Sequence, residues 1–327
     1  MAPKNRPLTP ALRQSEIGRS DICAVVVTFF PPADVAQNLE AIAPQVATIL
    51  VVDNASSESS LRPIHPVGAK IGATIACNRE NTGLATALNV GLRFAREHGY
   101  RWLATFDQDG LASPDMMNKM IALVASYKEP ERLALVTPLH VDRRLGLSYA
   151  NRACLARGDN WRLLPTAMTS GNLVNVAAAD SIGGFDGSLF IDYVDNDFCL
   201  RLRRKGYHVV EASDAVLWHS LGTTEMHRFL WKKVRTTNHS ALRRYYSTRN
   251  GVITWRNNWR FDFRWIVGDI KRFFLICAYI LLWEKQKNDK LIAIAHGLWD
   301  GVRNVRGQRG VRSQRGRSPA EVEPTDP

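Results

Sequence analysis

The sequence predicts an α/β fold in which helices flank a mostly parallel central sheet. Short apolar runs typical of buried strands alternate with segments whose apolar residues recur at helical spacing. Through the first third of the chain the order is strand, helix, strand, strand, helix, strand, which favours a parallel sheet with helices on both faces. Polar or acidic residues follow the predicted strands, which places these residues at one edge of that sheet.

The individual elements follow from their boundary residues. Strands are predicted at 22–29, 48–52, 71–76 and 100–106, and helices at 33–43 and 84–98. Pro31 and Pro32 end the first strand, and Gly99 caps the second helix. Further along, the pattern predicts a helix that begins at 113–115, a strand at 133–138 and an irregular ribbon or loop at 142–165. A strand after 171, a helix starting near Asp195 and short strands at 209–212 and 216–219 follow.

Composition and charge limit the class of protein. The chain has 327 residues, 45% apolar and 23% charged, a globular composition that is neither disordered nor membrane-spanning overall. Lysine and arginine outnumber aspartate and glutamate by 43 to 31, a net charge of +12. Residues 261–317 hold twelve basic and five acidic side chains, so +7 of the excess lies there. This excess predicts a polyanionic partner, whether nucleic acid, phosphorylated substrate or anionic lipid.

The cysteines and the first residues indicate the compartment. The five cysteines are scattered, with no CxxC or Cys/His spacing, which argues for buried thiols in a reducing compartment. The first twenty residues are polar, contain three prolines and lack an apolar run. They are typical of a disordered leader and not of a signal peptide. We therefore expect a cytoplasmic protein.

The strand ends offer the groups of a nucleotide-sized pocket. Thr28, Asp53, Asn81, Asp107 and Asp109 all follow predicted strands, and groups at one edge of an open α/β sheet can form one binding site. The sequence has neither GxGxxG nor GxxxxGK[ST]. Because those glycine-rich phosphate-binding loops are missing, a diphosphate bound here would need a divalent metal, which the two aspartates of the DxD motif can hold. A lone DxD motif, however, is more often an Asp-rich turn.

A second group of acidic residues lies in the second half of the chain. Asp192, Asp195 and Asp197 surround the predicted start of a helix, where carboxylates can simply cap the helix and complement its dipole. Asp195, facing the same edge as the DxD motif, can also accept a proton from an acceptor hydroxyl as a general base. His219 ends an apolar run, and a neutral imidazole there can complete the coordination of Mn²⁺ or Mg²⁺ begun by Asp109.

With these motifs the chain resembles family 2 inverting glycosyltransferases of the GT-A fold, and more narrowly the bacterial rhamnosyltransferases that use dTDP-L-rhamnose. The resemblance covers about 22–257, and the motifs that carry it come in family order. They are Val26-Val27-Thr28, Val51-Val52-Asp53-Asn54, Asn81-Thr82-Gly83-Leu84-Ala85, Phe106-Asp107-Gln108-Asp109, Ser170-Gly171-Asn172, Gly183-Gly184-Phe185-Asp186, Phe190-Ile191-Asp192-Tyr193-Val194-Asp195, Leu200-Arg201, Trp218-His219 and Tyr245-Tyr246-Ser247-Thr248-Arg249-Asn250.

The resemblance implies a role for each matching residue. Thr28, Asp53 and Asn81 would contact the nucleotide, and Asp107 would lie near the ribose and diphosphate. Asp109 and His219, with Asp107, would hold Mg²⁺ or Mn²⁺, and Asp195 would be the catalytic base. The donor or acceptor sugar would be contacted by Ser170, Gly171, Asn172, Asp192 and Arg249.

The chain departs from the general family pattern at two places. Val194 replaces the glutamate that usually precedes the base, as expected of the rhamnosyl branch, and removes one acceptor contact. Phe29-Phe30 replaces a polar pair after Thr28, which removes a polar contact there. Gln108, within the DxD motif, favours the rhamnosyl branch.

The implied activity is metal-dependent, inverting transfer of a sugar. The expected donor is dTDP-L-rhamnose, and the acceptor is a hydroxyl group of a glycan or lipid-linked glycan in cell-surface polysaccharide synthesis. A family 2 transferase using another nucleotide sugar is the nearer alternative. A basic nucleic-acid-binding protein is the remote one, but the sequence has no recognition-helix, RRM or zinc pattern, so we expect no nucleic-acid partner.

The C-terminal part has a different composition. Eleven apolar residues at 273–283 are fewer than the roughly 20 that a membrane-spanning helix needs. They suit a buried helix, or one lying in the membrane interface between basic and tryptophan flanks. The predicted organisation is a disordered leader (1–20), a GT-A domain (21–257), a helical extension that is either buried or interfacial (258–300) and a disordered basic tail (301–327). Binding of anionic lipid would place the protein on the cytoplasmic face of the inner membrane.

Overall fold

The computed structural model describes residues 17–143, 146, 148, 154–219, 225–229 and 232–309. Its first half contains, in order, β1 (Ile22–Thr28), α1 (Val35–Ile42), β2 (Thr48–Asp53), α2 (Glu58–Leu61), α3 (Ile64–Ile71), β3 (Thr74–Cys77), α4 (Leu84–Glu97), β4 (Trp102–Asp107), β5 (Gly110–Ala112), α5 (Met116–Ser126) and β6 (Leu133–Asp142). The predicted strand at 71–76 therefore begins later, and helices α2 and α3 precede it. These helices are too short and too interrupted by proline for a clear period.

The second half completes the sheet and adds the C-terminal helices. It contains β7 (Ala156–Arg157), β8 (Trp161–Leu163), β9 (Asn172–Asn175), α6 (Val176–Ser181), α7 (Val194–Arg204), β10 (His208–His219), β11 (Glu225–Phe229), β12 (Lys232–Thr236), α8 (Ala241–Asn258), α9 (Phe263–Leu282) and α10 (Lys287–Val302). The short strands predicted at 209–212 and 216–219 form one strand, β10, with a register shift between Ala212 and Val216.

The central sheet is mixed, so the prediction of a mostly parallel sheet is too broad. Its strand order is β3-β2-β1-β4-β9-β6-β10-β8-β7, with β5 paired to β10 beside this path. Strands β3, β2, β1 and β4 run parallel to one another, and β6 and β10 run parallel to each other. Strand β9 runs antiparallel to β4 and β6, because it starts from a turn at the edge where β4 ends. Strands β5 and β8 are antiparallel to β10.

Helices cover both faces of the sheet, and β1 shows why. Its residues alternate between two cores: Ala24 and Val26 pack in the core shared with α1 and α5, and Val25 and Val27 pack with α4. A strand buried on both faces needs apolar side chains at every position, which is the pattern of β1. Gly91 lets α4 approach closely, since a Cβ there would lie 2.6 Å from Val25 Cβ.

The C-terminal helices pack on the domain. Helix α10 lies along α8 with two glycines at the contact: a Cβ on Gly297 would be 2.7 Å from the carbonyl oxygen of Tyr245, and one on Gly301 would be 2.7 Å from Val252 Cβ. Such small residues let helix backbones come close together. The predicted boundary at 257–258 therefore does not separate two independent units.

A buried ion cluster also holds these helices. The Glu284 carboxylate, between α9 and α10, accepts from Arg244 of α8 (2.6 Å) and from Lys290 of α10 (2.9 Å). Lys290 also donates to Asn238 Oδ1 (2.6 Å). All three charged side chains are buried, and a buried charge is tolerated only when paired in this way.

The prediction of a disordered tail is wrong for 301–309. Helix α10 continues to Val302, the N–H of Gly307 donates to the carbonyl oxygen of Ser188 (2.7 Å), and Arg306 donates to Asp186 (2.7 Å). The sequence of this segment, rich in arginine and glycine, does not show which surface of the domain it will contact. The rest of the predicted tail, 310–327, and leader residues 1–16 lie outside the described residues.

Among the described helices, none combines the length and apolar character needed to cross a bilayer.

The close approach of α4 to β1 yields a stability prediction. Gly91→Ala should lower the free energy of unfolding by about 1–2 kcal/mol, because the clash with Val25 outweighs the better helix propensity of alanine. Gly268→Ala is the matched control within α9, where a Cβ would have no atom within 4 Å, and it should stabilise by up to about 1 kcal/mol. Urea unfolding of both variants measures the two changes. Equal effects would contradict the proposed packing.

Candidate functional site

The candidate site is built on the ends of three strands. Asp107 ends β4, Asp109 lies in the turn between β4 and β5, and His219 ends β10. Strand β5 pairs antiparallel with β10, with Gly110 opposite His219, so the residue after Asp109 lies beside the histidine. His219 Nε2 is 3.2 Å from Asp109 Oδ1 and 3.8 Å from Asp107 Oδ2.

These three side chains can hold a metal ion. One ligand atom from each lies within 4.8 Å of the others, a set of two carboxylates and one imidazole. Nε2 of His219 faces the carboxylates, whereas Nδ1 is buried without a hydrogen-bond partner among the described residues. Carboxylates suit Mg²⁺ and Mn²⁺, and imidazole is an acceptable additional ligand for Mn²⁺.

Burial and charge shift the ionisation of this group. Burial raises the pKa of Asp109 to about 6, although the nearby charge of His219 lowers it. Burial lowers the pKa of His219, but the Asp107 and Asp109 carboxylates raise it by more, so the net shift is upward. Negative charge is therefore concentrated here, and a cation at this place would relieve it.

The turn that carries the DxD motif is held by its neighbours. The N–H of Phe29 donates to Gln108 Oε1 (2.9 Å), and Asn38 Nδ2 donates to the carbonyl oxygen of Gln108 (2.8 Å). The N–H of Asp107 donates to Ser170 Oγ (3.1 Å). Gln108, which suggested a rhamnose donor in the sequence, thus ties this turn to the end of β1.

Thr28 and Asp53 form a buried network. Thr28 Oγ1 donates to Asp53 Oδ1 (2.8 Å), and Ser56 donates to both Asp53 oxygens from its N–H (2.7 Å) and hydroxyl (2.6 Å). Asp53 is completely buried in this arrangement. Asn81 lies before α4, where its Oδ1 accepts the N–H of Gly83 (2.9 Å). Contact of Thr28, Asp53 and Asn81 with the nucleotide stays a prediction.

Asp195 lies in the first turn of α7, half-buried, with Oδ1 accepting the N–H of Asn196 (2.8 Å). Burial raises the pKa of Asp195 to about 6; the N–H of Asn196 lowers it, and the charges of Asp192 and Asp107 raise it. The charge of Asp107 thus reaches Asp195, as expected of groups near one edge of the sheet. Near neutral pH the group is mostly a carboxylate with raised proton affinity, which suits a general base.

The loop before α7 is strained. Phe190, Asp192 and Tyr193 have positive φ angles of 66°, 61° and 62°, values that non-glycine residues rarely adopt. Strain of this kind persists only where surrounding contacts enforce it. Asn250 of α8 provides them: its Nδ2 lies within hydrogen-bonding distance of the carbonyl oxygens of Leu189 (2.7 Å), Ile191 (2.7 Å) and Asp192 (3.0 Å).

The C-terminal helices supply two further contacts to this loop. Arg243 of α8 donates to Asp192 Oδ1 from Nε (3.3 Å) and Nη2 (3.2 Å). Asp269 of α9 is buried and accepts from the Tyr193 hydroxyl (2.6 Å) and from Trp255 Nε1 (2.7 Å). The residues just before Asp195 are therefore positioned by α8, most of which lies in the predicted GT-A domain, and by α9, which sequence analysis assigned to the extension.

The other residues predicted at the sugar have packing partners. Ser170 and Asn172 are buried, and Gly171 has a φ of 80° with no room for a Cβ beside Pro138. Arg249 is completely buried, donating to the carbonyl oxygen of Gly307 (2.6 Å). For these four residues sugar contact remains a prediction, and the structure shows roles in packing.

The structure brings Asp107, Asp109, His219, Asp192 and Asp195 to one edge of the sheet. Sequence analysis missed the residues that support them. These are Asn38, Tyr193, Arg243, Asn250 and Asp269. Tyr193 and Asn250 lie within the family motifs quoted above, so the sequence could have identified them as site residues. Arg243 and Asp269 lie outside those motifs, and nothing in the sequence points to them.

Comparison with known proteins agrees with this geometry. Residues 23–150 match the family model for glycosyl transferase family 2. The chain is also 26% identical over 308 residues to the dTDP-rhamnosyl transferase RfbF of Shigella flexneri, an alignment that covers 88% of this chain and 97% of that protein.

Solved structures share the fold. One is GalNAc-T7 with UDP, GalNAc and Mn²⁺ (TM-score 0.56, 12% identity), which aligns with 87% of this chain; the chain spans only 56% of that protein. Another is the mannosyltransferase PcManGT of Pyrobaculum calidifontis in complex with GDP-Man and Mn²⁺ (TM-score 0.52, 16% identity), with 91% of this chain and 79% of that one aligned.

The mixed sheet, the flanking helices and these likenesses establish the GT-A fold. The chain is a glycosyltransferase: residues 23–150 match the model for glycosyl transferase family 2, and the chain is similar to a dTDP-rhamnosyl transferase over most of its length.

Proposed function

We propose that this protein transfers L-rhamnose from dTDP-L-rhamnose to a hydroxyl group of a glycan or lipid-linked acceptor in cell-surface polysaccharide synthesis. The observation that supports this donor is the alignment with a dTDP-rhamnosyl transferase along 97% of that protein's length. The geometry supports a transferase site, since a group able to hold a metal and a half-buried base share one edge of the sheet.

We also propose that the transfer depends on a divalent ion held by Asp107, Asp109 and His219. The donor set fits Mg²⁺ or Mn²⁺, and burial, with a smaller contribution from the charge of Asp107, raises the pKa of Asp109. When bound, the ion supplies Lewis-acid stabilisation of the diphosphate. The two solved structures of the same fold were each determined with Mn²⁺, which agrees with this choice of ion.

In the proposed reaction Asp195 accepts the proton of the acceptor hydroxyl. The hydroxyl oxygen forms a bond to the anomeric carbon while the bond from that carbon to the diphosphate oxygen breaks, and the leaving nucleoside diphosphate keeps its electron pair. Attack from the face opposite the leaving group inverts the anomeric centre. The contacts of Asn250 and Asp269 to the loop before α7 keep the carboxylate of Asp195 in position.

A different nucleotide sugar is the second candidate donor. Gln108, whose presence favours rhamnose in the sequence, accepts the N–H of Phe29 with its side-chain oxygen. A residue needed for the turn is a weaker indication of the donor sugar.

A donor panel tests the proposed activity. Nucleotide release from dTDP-L-rhamnose, with Mg²⁺ or Mn²⁺ and a membrane glycolipid extract as acceptor, should have a kcat/KM about tenfold or more above that for UDP- and GDP-sugars. Chelation with EDTA should abolish it, and added metal should restore it. Faster turnover of another nucleotide sugar would show that rhamnose is not the preferred donor sugar. Full activity in EDTA would exclude the proposed metal requirement.

The role of Asp195 predicts a pH dependence. A protonated carboxyl group cannot take the acceptor proton. We therefore expect kcat/KM to reach its maximum well above pH 6 and to decline as the pH falls through about 6. The profile is measured at saturating metal concentration. A rate that stays constant from pH 7.5 down to pH 5 would contradict this role.

Asp195→Asn tests the same group at fixed pH. Turnover should fall about 10²- to 10⁴-fold while dTDP affinity is retained. Because the raised pKa means that ionised Asp195 destabilises the fold above its ordinary pKa, the variant should be no less stable than the parent at pH 7. Thermal unfolding at pH 7 therefore separates a catalytic loss from misfolding.

We further propose that the protein binds the cytoplasmic face of the inner membrane through α9. Phe274, Leu275, Leu281 and Leu282 lie on one side of this helix and are all exposed. Exposed apolar residues in such a row mark an interaction surface. We call these four residues the apolar stripe.

The charges near the stripe favour an anionic lipid surface. Lys271 lies at one end of the stripe, and Lys285 and Lys287 follow the other; all three are exposed. Apolar residues flanked by lysine suit a helix lying in the interface of a bilayer containing anionic lipid. A second copy of this chain, carrying the same lysines, would repel them.

Vesicle flotation tests this surface. Binding to vesicles with anionic phosphatidylglycerol should exceed binding to neutral vesicles, and Leu275→Asp with Leu282→Asp should weaken it about tenfold or more. Leu155→Asp changes an equally exposed leucine outside the stripe and should bind as the parent does. Unchanged binding of the double variant would contradict the proposal. A dimer that the double variant dissociates would assign the stripe to a second copy.

A further inference from the structure

Arg243 lies in the first turn of α8 and faces the acidic edge of the sheet. Helix α8 begins after Ser240, whose hydroxyl accepts the N–H of Arg243. The guanidinium group donates to Asp192 Oδ1, and its side chain is 30% exposed. The charge of Asp192, opposed by burial, raises the pKa of Arg243, and the charges of Asp107 and Asp109 raise it further. Arg243 is thus a cation close to the proposed metal ligands.

The charge balance explains why a further cation is needed here. Asp107, Asp109, Asp192 and Asp195 are four carboxyl groups whose charges act on one another or on Arg243. A divalent ion compensates two charges at most, and a nucleoside diphosphate adds at least two more.

The other basic groups nearby contribute little to this balance. Arg272, whose charge also acts on Asp195, is already paired with Asp269. Burial, with a smaller effect of the Arg243 charge, lowers the pKa of His239 to about 4, so its imidazole is neutral. A diphosphate bound here would therefore need another positive group.

Arginine is chemically suited to this task. Its guanidinium is planar, remains charged at all physiological pH values and presents N–H donors in a fork that matches a phosphate group. Charge-assisted hydrogen bonds of this kind are about twice as strong as neutral ones. Arg243 is also partly exposed, so a ligand in the cleft can reach it.

We propose that Arg243 binds the diphosphate of the nucleotide donor and stabilises the negative charge that develops on it as the sugar leaves. This inference rests on the proposed function only in requiring a nucleoside diphosphate sugar as the donor. It holds for any sugar and any base. Arg243 donates hydrogen bonds to the phosphate oxygens. The electron pair of the broken bond stays on the leaving oxygen, and the acceptor proton goes to Asp195.

A purely structural role makes a different prediction. If Arg243 served only to hold Asp192 in its strained conformation, removal of either partner would have the same effect. If Arg243 binds diphosphate, removal of its own side chain should be far more harmful to diphosphate affinity than neutralisation of Asp192. Variants at both positions therefore separate the two roles.

The experiment measures nucleotide affinity by calorimetry in the presence of Mg²⁺. Arg243→Ala should weaken dTDP and UDP binding about tenfold or more but dTMP binding much less, because dTMP lacks the β-phosphate. Arg243→Lys, which keeps the charge but loses the fork, should fall in between. Asp192→Asn should retain dTDP affinity within about threefold. Arg96→Ala, an exposed arginine of α4, is the control for loss of one positive charge.

The outcomes separate this inference from the proposed function. If the parent binds no nucleoside diphosphate, the proposed function fails and the inference fails with it. If the parent binds dTDP and Arg243→Ala binds it equally well, the inference alone fails. Equal losses in Arg243→Ala and Asp192→Asn would also overturn it, in favour of a role through Asp192. Unfolding temperatures of all variants identify any loss that comes from misfolding.

Discussion

Burial of carboxylates at one edge of the sheet, reinforced by their mutual repulsion, is the constraint on which the rest of the structure depends. Asp107, Asp109, Asp192 and Asp195 are gathered there, and burial with like charge raises the pKa of both Asp109 and Asp195 to about 6. Ionised carboxylates in such a place oppose folding. The arrangement makes sense if a cation and a proton donor arrive with the substrates, since both would relieve the repulsion.

The fold holds this edge together with hydrogen bonds from several sides. Ser170 and Gln108 secure the DxD turn to β1 and to the start of β9. Asn250 and Asp269 hold the strained loop before Asp195 from α8 and α9. Because these donors are fixed by buried packing, the acidic groups keep their positions without having to be drawn together by the ligand. Pre-organisation of this kind is what an enzyme site requires.

The C-terminal helices therefore support the candidate site. Two glycines and a buried ion cluster join α10 to α8, and α8 carries Asn250 and Arg243 to the proposed base and the proposed diphosphate site. The outer side of α9 carries the apolar stripe, while Asp269 on the same helix accepts a hydrogen bond from Tyr193. In the proposed arrangement, a lipid-linked acceptor would lie near the surface to which α9 binds.

Much of this protein is determined by local sequence. The buried apolar runs of β1, β2 and β4, the helical spacing in α4, and the acidic residues at strand ends predicted an α/β fold with Asp107, Asp109, Asp195 and His219 at one edge. Local patterns suffice for these features because a strand buried on both faces requires a continuous apolar run. The polar residues that follow such runs mark the ends of the parallel strands, where ligands bind. The motifs in family order then pointed to a glycosyltransferase.

Tertiary structure decided the rest. The antiparallel course of β9 depends on a turn that only the folded sheet can specify, and the ordered course of 301–309 depends on a surface formed by 186–188. Buried polar roles, such as those of Arg249 and Gln108, depend on backbone groups far away in the chain. Arg243 contacts Asp192, which lies 51 residues earlier in the chain. A contact between residues so far apart cannot be predicted from local sequence periodicity.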